Sequence, residues 1–124
     1  MQITIREPGS AITHFIGMML AVFASTPLLI KAAVSDGFTA FFSMTIFMFS
    51  MIALYGASAL YHSVMVKDRL LKVFRKIDHM MIFVLIAGSY TPVCLIVLGG
   101  RPGYTLLAVV WTIAIVGMLI KAFW

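Results

Sequence analysis

Four runs of mainly apolar residues, each close to the length needed to cross a lipid bilayer, leave this chain few choices of fold. In hydrocarbon every backbone N–H and C=O must be satisfied internally, and a run of roughly 20 apolar residues does this as a helix. The runs extend from about Phe15 to Val34, from Phe38 to Val66, from about Ile77 to Leu98 and from Tyr104 to about Phe123. Together they take up most of the 124 residues, so residues 1–124 read as a single integral-membrane domain. The composition agrees: 63% of residues are hydrophobic, only 10% are charged, and the mean hydropathy is +1.11, outside the balance of a soluble domain. The predicted class is an all-α membrane protein with four transmembrane helices.

The links between the runs are short, "SDG", "KDRLLKVFRK" and "GGRPG", which makes chain neighbours antiparallel and adjacent. A net charge of +5 could point to nucleic acid, but the bases are few and separate the apolar runs without interleaved aromatics, so no nucleic-acid partner is expected. The charge instead sets orientation. With the second link on the cytoplasmic side, Arg6, Lys67, Arg69, Lys72, Arg75, Lys76 and Lys121 share that side, and only Lys31 and Arg101 face the other. Basic residues are retained on the cytoplasmic side, so the N-terminus is predicted to be cytoplasmic. Within the second link Leu70, Leu71, Val73 and Phe74 alternate with the bases, as in an interfacial helix on an anionic leaflet or in a solvated loop with some apolar residues.

Several features concern packing. Pro27 and Pro92 fall inside the first and third runs, where each removes a backbone donor and predicts a kink, with Ser25, Thr26, Ser89 and Thr91 placed to satisfy freed carbonyls. Ala53 and Ala57, and Gly88, are small enough for close helix approach. The single Cys94 excludes an intrachain disulfide and a cysteine metal cluster. The opening residues lack the pattern of a cleaved secretory signal, and no phosphate-binding or dinucleotide glycine motif occurs.

Ionisable groups within a membrane span are costly, so each calls for a partner or a task. His62 stands five residues before Lys67 and Asp78 two after Lys76, which places both in one leaflet on neighbouring helices. Ser58, four residues before His62, shares its helix face. Three readings fit Ser58, His62 and Asp78. His62 ligates a metal whose bound water is held by Ser58 and Asp78; His62 and Asp78 hydrogen-bond across two helices; or the three form a nucleophilic triad, for which the usual strand-turn-helix elbow is missing. His79 is rotated about 100° from Asp78 on a helix and is expected to face water or headgroups. His14 opens the first run, with Ser10 as a plausible helix cap and Glu7 just before it.

Taken together, "REPGSAITHFIG", "SALYH" and "RKIDHMMIFVLIAGSYTP" resemble the hemolysin III family of bacterial membrane proteins, relatives of the progestin and adiponectin receptors. The likeness covers nearly the whole chain, with three separated motifs in order. It implies a multi-pass protein of the bacterial cytoplasmic (inner) membrane, with a seven-helix bundle and a cytoplasmic N-terminus. It also implies a zinc site made by the histidine of a Ser-x3-His motif and two of a His-x3-His motif on the seventh helix, near a third-helix aspartate. Ser58 and His62 match the first motif and Asp78 the aspartate; Glu7, Ser10 and His14 match a Glu-x2-Asn-x3-His element except that serine replaces asparagine. No His-x3-His occurs, so one of three expected zinc ligands is present.

The expectation is therefore of the first four helices of seven, or of a four-helix chain that completes itself by forming a homo-oligomer. In its intact form it would be a zinc-dependent hydrolase of a lipid-like amide or ester, with Asp78 as base or orienter and Ser58 donating to the oxyanion. The alternatives are a cytolytic, pore-forming hemolysin, against which the scarcity of polar residues along the spans argues, and a receptor-like lipid sensor without catalysis.

Overall fold

The computed structural model describes residues 5–124, and among them every regular element is helical. Helix α1 spans Pro8–Lys31, α2 Gly37–Ser63, α3 Asp68–Pro92 and α4 Gly100–Phe123. All four are long and apolar enough to cross a membrane.

The boundaries follow local chemistry. Pro8 has no N–H to satisfy and a φ already suited to a first helical turn, so α1 begins there, with Glu7 as its N-cap residue. Ser10 consequently lies inside the first turn and is not the cap that its type suggested. The ends of α1 and α3 widen into π-helical turns, Ala32–Asp36 and Val93–Leu98. Gly99 closes the second of these by donating its N–H to Cys94 O at 3.0 Å, five residues back. Both π turns stop at a glycine with positive φ, Gly37 at 85° and Gly99 at 63°, a region that side chains disfavour. The basic link is largely helical: α2 ends at Ser63, short of Val66, and α3 already starts at Asp68, so Leu70 to Phe74 form its first turns.

The four helices stand in a row. Among the described residues α1 packs on α2, α2 on α1 and α3, and α3 on α2 and α4, with no contact from α1 to α3 or α4. Small residues fill the seams: Ala11, Ala21, Ser43, Ser50, Ser58, Ala59, Ala87, Cys94 and Ala114 are buried. Large apolar residues such as Phe23, Phe49, Val97 and Ile120 face outward. This distribution reverses that of a water-soluble core and suits lipid, where close van der Waals approach drives helix association.

Gly88 rests directly on Ser50, since a Cβ at Gly88 would come 2.8 Å from Ser50 Cβ. Gly17 similarly makes room for the Tyr55 ring, and Gly117 for Phe83. Ala53 and Ala57 are only half-buried, so the tight α2–α3 approach falls at Ser50 and Gly88. Across the α3–α4 seam Trp111 Nε1 donates to Thr91 Oγ1 at 3.1 Å, while that hydroxyl donates to Ala87 O at 2.8 Å.

Helix α1 runs through Pro27, and Pro92 marks where α3 gives way to π turns. The carbonyls these prolines leave without an i+4 donor belong to Phe23 and Gly88. Ser25 and Thr91 instead bond Val22 O and Ala87 O, each one residue earlier.

The antiparallel row gathers the start of α1, the end of α2, the start of α3 and the end of α4 at one pole. Glu7 N donates to His62 O at 2.8 Å and Lys76 Nζ to Ala122 O at 3.2 Å. Arg6, the bases of residues 67–76 and Lys121 therefore share that pole, while Lys31 and Arg101 lie at the opposite ends of α1 and α4.

Candidate functional site

At the basic pole the first turns of α1 lie against the last turns of α2, and the polar residues of both helices meet there. Because Ser58 and His62 are four apart, they project from one face of α2, and that face is turned towards α1. His14 Nδ1 and Ser58 Oγ share a hydrogen bond of 2.5 Å, with the buried hydroxyl donating when the imidazole carries its proton on Nε2. The His14 ring stands edge-on to His62, 5.6 Å between centroids, and edge-on to Tyr55 at 6.1 Å.

His62 has a different environment. Glu7 Oε2 is 3.3 Å from His62 Nδ1 but out of line for a hydrogen bond, so this buried nitrogen has no hydrogen-bond partner among the described residues. The Glu7 carboxylate is instead engaged by the Arg6 guanidinium through Oε1. Arg6 also donates to Tyr61 O at 2.6 Å and places its guanidinium 4.5 Å from the centre of the Tyr61 ring. From the far side Arg75 Nε donates to Tyr61 Oη at 3.0 Å. Tyr61 thus ties α1, α2 and α3 together beside His62, whose ring is 4.8 Å away.

Of the residues singled out in the sequence, Glu7, His14, Ser58 and His62 come together. Asp78 is buried in α3, and no hydrogen bond or ion pair joins it to His62 or Ser58 among the described residues. His79 is half-buried and Ser10 half-buried in the first turn of α1, each without a side-chain hydrogen bond among the described residues. Arg6, Tyr61 and Arg75 are the additions that sequence reasoning missed as site residues. Their only signals were adjacency, Arg6 to Glu7 and Tyr61 to His62, and Arg75 counted merely as one base in a charged link.

The donor set answers the question of a metal. Neutral imidazole with a free nitrogen is a suitable zinc ligand, and His62 offers one. His14 Nδ1 is taken by Ser58, Glu7 is held by Arg6, and among the described residues no group of three or more His, Cys, Asp or Glu is placed to hold an ion. A closed zinc site wants four ligands and an open one three, so these residues alone do not make it.

Beside the cluster, the α1–α2 pair carries an apolar groove of about 400 Å³. Ala11, Ile12 and Phe15 line it from α1, and Gly56, Ala59, Leu60 and Ser63 from α2. Ala59 and Ser63 directly follow Ser58 and His62, so the groove runs at the same depth as the polar residues, on the adjoining face.

Comparison with known proteins gives a consistent family. The family model described as Haemolysin-III related matches residues 2–124. Hemolysin-3 of Bacillus cereus is 43% identical over 117 residues, covering 94% of this chain and 53% of the relative. A Hemolysin-3 homolog of Bacillus subtilis (strain 168) is 44% identical over 121 residues, 97% of this chain and 56% of the relative. The chain therefore spans about half the length of these curated relatives. No solved structure matches it.

Proposed function

Since the chain belongs to the haemolysin-III-related family and folds as four membrane-length helices, we propose that it forms the part of a bacterial inner-membrane hydrolase that presents His62 to an incoming group. The substrate class is a lipid-like amide or ester. One observation carries this reading: a buried imidazole nitrogen without a hydrogen-bond partner among the described residues, next to a histidine and a serine already bonded to each other. Burying such a group without a hydrogen bond costs about 1–3 kcal/mol, a cost that a ligand or ion bound there would offset.

Zinc is the proposed partner for His62. The described residues do not complete its coordination, so no reaction step is assigned through it; the remaining ligands would come from further helices or from a second copy of the chain. The roles of the chain's own residues follow from their surroundings. His14 fixes the Ser58 hydroxyl, Arg6 holds one oxygen of the Glu7 carboxylate while the other faces His62, and Tyr61 holds the three helix ends in register. Asp78 supplies a buried carboxylate on α3. The apolar groove alongside suits an acyl chain. The gathering of seven bases at one pole supports placing that pole, and the N-terminus, on the cytoplasmic side.

The test measures bound zinc and turnover of a fluorogenic long-chain amide and ester by the purified protein in bilayer nanodiscs. His62→Ala should lower metal content and activity by about 10–100-fold or more, with His79→Ala near the parent. Equal metal and turnover in His62→Ala overturns the reading. The names of the relatives favour a second reading, membrane lysis. Dye release from liposomes that persists in His62→Ala, with no hydrolysis by the parent, would select it.

A further inference from the structure

A second site stands at the same pole, on the opposite side of the row. The first turns of α3 and the last turn of α4 enclose a pocket of about 500 Å³ lined by Arg69, Lys72, Arg75, Lys76, Lys121 and Trp124. With Val73 seven residues line it; five of the seven are cations, and none carries a side-chain carboxylate. None of the five forms an ion pair among the described residues. Two are oriented by neutral partners, Arg75 by the Tyr61 hydroxyl and Lys76 by the carbonyl of Ala122. Apart from those two bonds the cations join no helices among the described residues, and like charges this close oppose one another unless an anion sits between them.

We infer that this pocket binds the headgroup of an anionic phospholipid. Charge selects a phosphate, and position selects a lipid. The bases lie at the ends of membrane-length helices, where headgroups reside. Val73 and the exposed Trp124 ring supply apolar surface at the pocket wall, and tryptophan is favoured at that depth of a bilayer. Basic pockets between helices on the cytoplasmic face are a recurrent mode of anionic lipid recognition. The lysines act as point charges, while Arg69 and Arg75 offer planar donors suited to two phosphate oxygens at once. Bound there, the lipid bridges α3 and α4, the two helices with the least small-residue burial at this pole.

The purified protein in neutral detergent is titrated with short-chain phosphatidylglycerol, short-chain phosphatidylcholine and inorganic phosphate, binding being followed by native mass spectrometry. Phosphatidylglycerol should bind roughly tenfold or more tightly than phosphatidylcholine, and the preference should shrink as salt rises from about 0.05 to 0.5 M. The triple substitution Arg69→Gln, Lys72→Gln and Lys121→Gln should abolish the preference. Removing three charges elsewhere, by Lys31→Gln, Lys67→Gln and Arg101→Gln, should preserve it. Far-UV circular dichroism and size exclusion establish that both variants are folded; should the first triple variant not fold, Lys72→Gln with Lys121→Gln replaces it and must still weaken the preference. Equal binding of the two lipids, an unchanged preference without the pocket charges, or inorganic phosphate binding as tightly as phosphatidylglycerol overturns the inference.

Discussion

His14 Nδ1 lies 2.5 Å from Ser58 Oγ, while His62, one turn further along α2 and 5.6 Å from His14 ring to ring, has an Nδ1 with no hydrogen-bond partner among the described residues. Two histidines in contact therefore answer differently to deletion. Ser58→Ala strands a half-buried imidazole nitrogen and is expected to cost about 1–3 kcal/mol. His62→Ala removes only the contact with the half-exposed Glu7 carboxylate and no side-chain hydrogen bond among the described residues, and should cost less. Thermal unfolding of both variants in detergent checks the order, and a larger loss for His62→Ala would contradict it.

The contact between Gly88 and Ser50 makes the α2–α3 seam sensitive to a single carbon. Gly88→Ala forces a methyl against Ser50 Cβ, an overpacking expected to cost about 1–3 kcal/mol. Ser50→Gly in the same chain should recover most of it. A double-mutant cycle reads the coupling, and additive effects of the two changes would mean that the seam relaxes elsewhere.

Two glycines should respond in opposite directions to alanine. Gly99 sits at φ 63°, so Gly99→Ala is expected to destabilise by about 1–2 kcal/mol. Gly9 lies in the first turn of α1 with nothing within 4 Å of where its Cβ would be. Gly9→Ala should therefore stabilise by up to about 1 kcal/mol, through helix propensity. Paired melting curves decide both signs.

Orientation is open to direct labelling because the one native thiol, Cys94, is fully buried. With cysteine at exposed position 101 (Arg101→Cys), a membrane-impermeant maleimide should label intact spheroplasts. With cysteine at exposed position 68 (Asp68→Cys), it should label only after permeabilisation. The reverse pattern would place the basic pole outside the cell.

The four helices were legible in the sequence because a lipid-facing helix is apolar almost all round, and hydropathy registers that directly. Their ends were less so. The segment from Asp68 to Lys76 reads as a link because charge interrupts the run, yet helical bonding continues through charge where the backbone lies outside hydrocarbon. Ser58 and His62 were legible from i,i+4 spacing. Their partner was not, because the short second link drew attention to Asp78 on α3, whereas the first link brings α1 equally close. The α2 face that carries Ser58 and His62 turns to α1, and His14 meets Ser58 from 44 residues away in sequence. Arg6 and Tyr61 escaped notice for a related reason: a guanidinium over a phenol ring has no local sequence signature.

A row in which each helix touches only its chain neighbours behaves as a one-dimensional array, with its cohesion divided among three nearest-neighbour joints. Pulled mechanically from the C-terminal end, such an array gives up α4 without loosening the joint between α1 and α2. The His14–Ser58 pair lives on that first joint, beside the bonds from Arg6 to Tyr61 and from Glu7 to His62, so this polar cluster would be assembled as soon as two helices had left the ribosome and would outlast the other joints under load.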